Sequence, residues 1–387
     1  MKLVVFSHKL VWENPESVTG YATDGGFAFQ MAAISKIFDE TVIIVPASTQ
    51  RVKTGEVNIE GHNIKVYPLK NIGGHGLKRK INLIPWLFKN IITFNRLMNA
   101  ADAVHAPVPS DIGTLGMLLA KIKNKPLFVR YCGNWLIQKT FAEKFWRWFL
   151  EKYAGGKNVV LATGLLQEAP SQKNKNIKWI FSTSLTIEEI EKLREHRPIF
   201  NREAPRLIIV CRMDESKGAG RVIDALYNLK EEYPGIKLDI IGDGPALGLF
   251  KEKVVQLGIK DKVFFHGKLN HEGVLKALKG AQIFCFPTDS EGFPKAVLEA
   301  LASGLPVFAT PVSALPALIN PGGGVLLKNV LPETLSNELR NLFMHPDKYL
   351  EMQEHAFETA RAFTLEKWTE SIKQHLHQAW NLQNQIH

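Results

Sequence analysis

The stretch SEGFPKAVLEALASGLPV, residues 290–307, decides the reading of this chain. It begins as a short loop around Gly292, passes Pro294 and continues as a run of helix-forming residues. The N–H groups of such a loop and the positive end of the helix dipole make a place for an anionic ligand. Glu291 stands in the loop, and Glu299 follows little more than one helical turn beyond Pro294. One carboxylate is thus placed to reach a sugar in front of the loop while the other holds hydroxyls farther back. Ionised carboxylates suit polyols because their oxygens accept hydrogen bonds from adjacent hydroxyls.

Outward from this stretch, short apolar runs recur between longer amphipathic segments. RLIIV (206–210), LDIIG (238–242), KVFFHG (262–267), IFCF (283–286) and PVFA (306–309) form one series. LVVF (3–6), TVIIV (41–45), AVHA (103–106) and PLFVRY (126–131) form an earlier one. Strands alternating with helices predict parallel sheets covered on both faces, and 387 residues suit two such cores better than one. The expected boundary lies within residues 182–205, giving an α/β domain of residues 1–183 and a second of residues 184–365. The tail repeats apolar residues at Leu365, Trp368, Ile372, Leu376 and Trp380, a helical stripe that needs a partner surface.

Three further segments carry chemistry. After RLIIV, the loop CRMDESKG holds Arg212 and Lys217, two cations at a strand end and in the loop before a helix. LDIIGDGPALG holds Gly242, Gly244 and Gly248, but the third glycine falls one residue late for a dinucleotide fingerprint and Pro245 intrudes. TDGGFAFQMAAIS places Gly25 and Gly26 between a loop and an amphipathic helix, with Asp24 beside them as a candidate hydroxyl ligand.

Glu291 and Glu299, embedded as EGFP…LEALASGLPV, resemble the Glu-x7-Glu motif of glycosyltransferase family 4. The resemblance is closest over about 206–310 and weaker through the first half. It implies the GT-B fold, two doubly wound Rossmann-like domains facing an interdomain cleft, with the tail helix of residues 366–387 crossing back to the first domain. It also implies retaining transfer from a UDP- or GDP-linked sugar to a saccharide, polyol or lipid-linked acceptor, in cell-surface polysaccharide or glycolipid synthesis. On that pattern Arg212 and Lys217 hold the diphosphate, Glu291 the donor sugar and Glu299 the ribose hydroxyls. Gly292, Phe293, Pro294 and Lys295 present N–H groups to the sugar or phosphate, and Gly25 and Gly26 bring backbone close to the donor phosphate and acceptor. Gly242 borders the nucleotide pocket, and His266 lies in the segment that meets the base. No Asp-x-Asp motif is evident near the cleft, so the cations stand in for a metal and no cofactor is expected beyond the donor. The competing readings are a GT-B-like sugar-nucleotide epimerase or NAD-dependent sugar oxidoreductase, and a non-catalytic sugar- or membrane-binding relative. The defective dinucleotide fingerprint weighs against the oxidoreductase, and the intact Arg, Lys and Glu set against the non-catalytic relative.

One departure falls in VRYCGNW, where Cys132 stands at the place of a histidine that many relatives keep near the donor sugar. Arg130, Tyr131 and Asn134 are the neighbours available to take over that contact. His105, at a strand end, reads as structural.

Charge separates the two halves. Residues 1–200 carry 27 Lys and Arg against 16 Asp and Glu, and the remainder 21 against 22, so the net charge of +10 belongs to the first half. An anionic partner is expected there. No nucleic-acid recognition module appears, which leaves an acidic membrane surface. Residues 77–97 and 139–153 combine cations with apolar bulk, setting Trp86, Trp146 and Trp148 at headgroup level and Lys78, Arg79, Lys80 and Arg147 on anionic lipid. The other reading makes these aromatics the core of helices flanking the sheet. Cys132, Cys211 and Cys285 form no CxxC pair, and LVVF is too short for a signal-peptide core. No run reaches the roughly 18 apolar residues of a spanning helix. A cytoplasmic enzyme, peripheral on the inner membrane face, is the resulting expectation.

Overall fold

A computed structural model of the protein describes residues 1–51, 56–74, 76–138 and 140–381. Lys139, the side chain of Lys80 and residues 382–387 of the expected tail helix lie outside the described residues. The chain separates into two units. Unit 1 comprises Met1–Thr163, Gln167–Ile180 and the chain from Trp368 onward, and unit 2 comprises Gly164–Leu166 and Phe181–Lys367.

In unit 1 the elements run β1 (Lys2–Phe6), β2 (Val11–Glu13), β3 (Tyr21–Asp24), α1 (Phe27–Ser35), β4 (Glu40–Ser48), β5 (Glu56–Asn58) and β6 (Ile64–Lys70). They continue with α2 (Gly76–Ala100), β7 (Ala103–Val108), α3 (Asp111–Ile122), β8 (Leu127–Tyr131), α4 (Phe141–Tyr153), β9 (Asn158–Thr163) and β10 (Ile177–Ile180). The sheet order is β10-β9-β8-β7-β1-β4-β2-β3-β5, with β6 also paired to β4. Its centre is parallel, and among the described residues only the β2/β3 and β3/β5 strand pairings are antiparallel. Buried runs such as Leu3–Phe6 form its middle because strands covered on both faces need apolar residues at every position.

Helices α2, α3 and α4 carry the chain from β6 to β7 to β8 to β9. Trp86, Phe94 and Met98 of α2, Ile112 and Met117 of α3 and Leu150 of α4 share one core with Val4, Phe6 and Val129 of the sheet. The three helices therefore form a layer on one face, as successive right-handed crossovers in one direction require. Ser110 caps α3 through Gly113 N–H at 3.0 Å. Thr140 and Glu143 close a capping box at the start of α4.

Unit 2 contains α5 (Ile187–Glu195), β11 (Arg206–Val210), a 3-10 turn (Glu215–Lys217), α6 (Ala219–Leu229), β12 (Lys237–Ile241), α7 (Leu247–Gln256) and β13 (Val263–Gly267). Then come α8 (His271–Lys279), β14 (Ile283–Phe286), α9 (Lys295–Ala302), β15 (Val307–Ala309), α10 (Leu315–Ile319), β16 (Gly324–Leu326), α11 (Pro332–Met344) and α12 (Pro346–Arg361). Its sheet is parallel throughout, in the order β13-β12-β11-β14-β15-β16. That is a doubly wound order whose direction reverses between β11 and β14, and ligands settle beyond the carboxyl ends of the strands at such a point. The last helix, α13 (Leu365–Trp380), buries Trp368, Ile372 and Leu376, and its Trp380 Nε1 donates to Lys157 O in unit 1 at 2.9 Å.

Candidate functional site

The loops after β11 and β14 meet at the switch point of unit 2. Beyond β11, Cys211 N–H donates to Ile241 O and Met213 N–H to Asp243 O, each at 3.0 Å, so the loop is tied to its neighbour after β12. The turn at Glu215–Lys217 ends at Gly218, whose φ of +89° admits glycine readily. A Cβ there would lie 2.3 Å from Pro287 O, so glycine is also what lets this loop approach the end of β14. The second loop answers: Asp289 N–H donates to Ser216 O at 2.8 Å, and Arg221 bridges Pro287 O (2.7 Å) and Asp289 Oδ2 (2.9 Å).

This stitching brings Lys217 and Glu291 together. Lys217 Nζ donates to Glu291 Oε1 at 2.6 Å and to Ser290 O at 2.8 Å, with the two side chains 23% and 16% exposed. The pair lies beyond the carboxyl ends of β11 and β14, and an anion placed there would compete with the carboxylate for the ammonium. Burial pushes the Cys211 thiol up to about 12; Lys217 opposes the shift, while Glu291 and Asp214 add to it. The thiol is therefore a neutral spacer behind the pair. Arg212 is held differently. Its side chain is 70% exposed, with Nε 3.8 Å from Asp214 Oδ2, so it stands largely in solvent.

In the loop leading to α9, the N–H groups of Gly292 and Phe293 have no partner among the described residues. The expectation that all of Gly292 to Lys295 present N–H groups is corrected in two places. Pro294, the N-cap of α9, has no N–H to give, and Lys295 N–H donates to Phe293 O at 3.1 Å. The Phe293 ring packs beside Phe181 and Phe363, with centroids 6.3 and 6.4 Å away, so only its backbone serves a ligand. Ser313 Oγ donates to Gly292 O at 2.6 Å and fixes the loop from behind, a contact with no signal in the sequence.

Glu299 sits on α9 with Oε1 3.3 Å from His271 Nδ1, and His271 Nε2 lies 3.4 Å from Glu189 Oε1 on α5. Burial alone would lower the His271 pKa, but the two flanking carboxylates outweigh it and raise it to about 9. An imidazolium at neutral pH thus holds one oxygen of Glu299. Sequence reasoning missed His271; its position at the first turn of α8 gives no sign of which carboxylates the tertiary fold sets around it.

The remaining expected residues of unit 2 serve packing. Gly242, at φ +132°, would place a Cβ 1.8 Å from Cys211 O, so glycine is required for the two loops to touch. The His266 side chain is held within the fold: Nε2 pairs with Asp239 Oδ1 at 2.7 Å, and Arg206 grips the same carboxylate at 2.5 and 3.0 Å, which leaves the backbone of this segment as the part that can face a ligand. Burial would raise the Asp239 pKa, but hydrogen bonds from Arg206 and His266 prevail and hold it below the usual carboxylate range. The register shift between Ile240 and Ile241 in the β12/β13 pairing accompanies this turn of His266 toward Asp239.

Unit 1 offers its own hollow. His8, Pro46, Arg79, Ser110 and Asp111 line a space of about 390 Å³ beyond the ends of β1, β4 and β7, where this sheet also reverses direction. Arg79 Nε donates to Asp111 Oδ2 at 2.7 Å across it. Gly25, at φ +67°, leads into Gly26, the N-cap of α1, with open space where its Cβ would stand. Asp24 is paired with Lys9. Cys132 is exposed, so the place of the family histidine remains reachable. Two of its proposed substitutes are not: Tyr131 is buried against Trp135, and Arg130 is buried with its Nη1 on Gln30 Oε1 at 2.7 Å. Asn134 Oδ1 accepts the N–H groups of Leu136 and Ile137, closing its own loop. His105 is fully buried on Phe128 O at 3.0 Å, and burial, then Arg130, pushes it down to about 3.

Residues 191–359 match the family described as glycosyl transferases group 1. Protein CapJ of Staphylococcus aureus is 26% identical over 285 residues, 71% of this chain and 70% of that protein. The alpha-monoglucosyldiacylglycerol synthase of Streptococcus pneumoniae is 26% identical over 230 residues, 54% of this chain and 51% of that one. Apart from CapJ, the chain spans about half or less of the curated relatives it matches. Among solved structures, HepE of Anabaena in complex with UDP and glucose superposes with a TM-score of 0.68 at 16% identity, covering 97% of this chain and 99% of that one. The likeness establishes the GT-B fold.

Proposed function

We propose, for a GT-B chain whose residues 191–359 carry the group 1 glycosyl transferase match, that it is a retaining glycosyltransferase with its donor site at the switch point of unit 2. The donor is a UDP- or GDP-linked sugar, and the acceptor a saccharide, polyol or lipid-linked hydroxyl. The observation that carries this reading is the Lys217–Glu291 pair at 2.6 Å, which joins two loops 74 residues apart at the place where a doubly wound sheet binds anions. A relative named for glucosyl transfer to diacylglycerol and a fold neighbour recorded with UDP support it.

On donor binding the diphosphate takes Lys217 from Glu291, and the released carboxylate turns to the sugar hydroxyls. Arg212, exposed and only loosely held by Asp214, closes onto the same phosphates. The N–H groups of Gly292 and Phe293 complete the anion contacts, and Glu299, steadied by His271, accepts from the ribose hydroxyls. In the transfer step the bond from anomeric carbon to phosphate oxygen breaks, and the acceptor oxygen bonds on the same face. The acceptor proton passes to the departing phosphate oxygen. Lys217 and Arg212 stabilise the negative charge that grows there, without recourse to a metal.

The test is a metal-free calorimetric titration with UDP, GDP and ADP, repeated on Lys217→Ala and Arg212→Ala. The expected result is selective binding of one diphosphate, weakened in both variants. Equal binding by wild type and variants, or none by the folded wild type, overturns the assignment.

A further inference from the structure

We propose that the outward face of the α2–α3–α4 layer in unit 1 is a docking surface for an anionic lipid bilayer. Packing on a sheet requires one apolar stripe of a helix, and α2 has two. Trp86, Phe94 and Met98 face inward, while Ile81, Ile84, Phe88 and Ile92 on the opposite side are 60%, 61%, 73% and 81% exposed. This corrects the expectation for Trp86, which is core. At 3.6 residues per turn, the exposed Lys78, Lys89 and Arg96 run along one flank of the outer stripe, and α2 contains no acidic residue.

Helix α4 repeats the pattern. Leu150 faces the core and Trp146 packs against it, while Phe141, Phe145 and Trp148 are exposed on the face that also bears Lys144 and Lys152. The Lys152 ammonium lies 5.5 Å from the Trp148 ring centroid. Exposed Ile and Phe interleaved with cations match the boundary between acyl chains and anionic headgroups, where the rings are buried and the long cationic side chains reach the phosphates. A second copy of the same face is a poorer match, because it would set like charges against each other. Among the described residues no helix is long and apolar enough to cross a membrane, so contact is from the surface.

The stripes begin within the first two turns of both helices and run past their middles, and Leu136 and Ile137 before α4 extend the second toward its N-terminal end. Crossover helices run against their parallel strands, so their N-terminal ends lie at the carboxyl edge of the sheet. There Arg79 of α2 lines the hollow with Ser110 and Asp111. Docking therefore brings the mouth of that hollow to the lipid surface, the placement that a lipid-linked acceptor hydroxyl requires. The surface lies outside the donor site and is read without donor.

The experiment is co-sedimentation of the full chain with phosphatidylcholine vesicles and with vesicles containing a third phosphatidylglycerol. Wild type should bind the anionic vesicles at least tenfold better, with binding weakened by salt. Phe88→Ser with Ile92→Ser, Phe141→Ser with Trp148→Ser, and Lys89→Glu with Arg96→Glu should each lower the bound fraction at least tenfold while keeping the melting temperature and diphosphate binding. The charge-reversal pair guards against unfolding in the apolar variants. Failure of wild type to bind anionic vesicles, or wild-type binding by all three variants, overturns the proposal. So does a concentration-dependent dimer in light scattering that the same substitutions dissolve. Absence of diphosphate binding alone would count against the donor site and leave this surface standing.

Discussion

In the crevice of unit 2, charged side chains meet partners across short distances: Lys217 with Glu291 at 2.6 Å, Arg221 with Asp289 at 2.9 Å and His271 with Glu299 at 3.3 Å. On the helical layer of unit 1, cations and apolar side chains stand exposed together along α2, which has no carboxylate of its own. The contrast separates two kinds of recognition. On the proposed reading, a small anion that must be bound, reacted and released is served by half-buried pairs in which it replaces the carboxylate as the partner of the cation. A broad, low-specificity surface is served by unpaired charge and exposed hydrocarbon, neither of which folding of the unit alone rewards.

The contrast breaks most visibly at Lys217. Lys217→Ala should lower glycosyl transfer by about 10²–10³-fold, as loss of a cation facing developing charge does, with the fold retained. A change below threefold in an initial-rate assay would make the pair a structural tie. Next in size, Glu299→Ala should weaken nucleoside diphosphate affinity by roughly 10–100-fold, the weight of a charged hydrogen bond. Glu291→Ala should leave that affinity unchanged or raise it, because Lys217 loses its competitor. Calorimetry on the two variants distinguishes these roles, and the opposite pattern reverses them.

A smaller effect concerns pH. The folded His271 pKa lies above its unfolded value of 6.5, at about 9, so its stabilising contribution is full below about pH 6.5 and fades as pH rises through about 9. A shift of that size corresponds to about 3 kcal/mol. Chemical denaturation across pH 6–10 should show this loss in wild type, and a flat profile in His271→Gln sharpens the assignment. Least affected should be Cys132→Ser, with transfer expected within about twofold of wild type, since no ionised thiol is invoked. A tenfold loss would give Cys132 a direct part on the acceptor side.

The strand runs at 3–6, 41–45, 103–106, 206–210, 238–242 and 283–286 were legible because strands buried on both faces are near-continuously apolar, with a polar residue such as His105 or Asp239 only where a partner satisfies it. The region of β2, β3 and β5, strands of three or four residues with an antiparallel edge, was not, because strands so short are defined by their neighbours more than by their own residues. The loops bearing Lys217 and Glu291 were readable from glycine, proline and charge in fixed spacing. The partner of the His266 side chain was not readable, because a histidine after a strand looks the same whether it faces solvent or, as here, Asp239.

By itself, then, the sequence determined two α/β sheets, the loops that carry the charged residues and the excess of positive charge in the first half. These follow from periodicity, turn chemistry and composition, all local properties of the chain. Only the tertiary structure decided that Lys217 meets Glu291, that His271 stands between Glu189 and Glu299, and that Trp86 turns inward while Phe88 turns out. A helix with apolar residues on both faces contains no preference for either. That choice is made by the sheet it packs against, and the partner of a charged side chain is chosen by whichever distant loop the fold brings within about 3 Å.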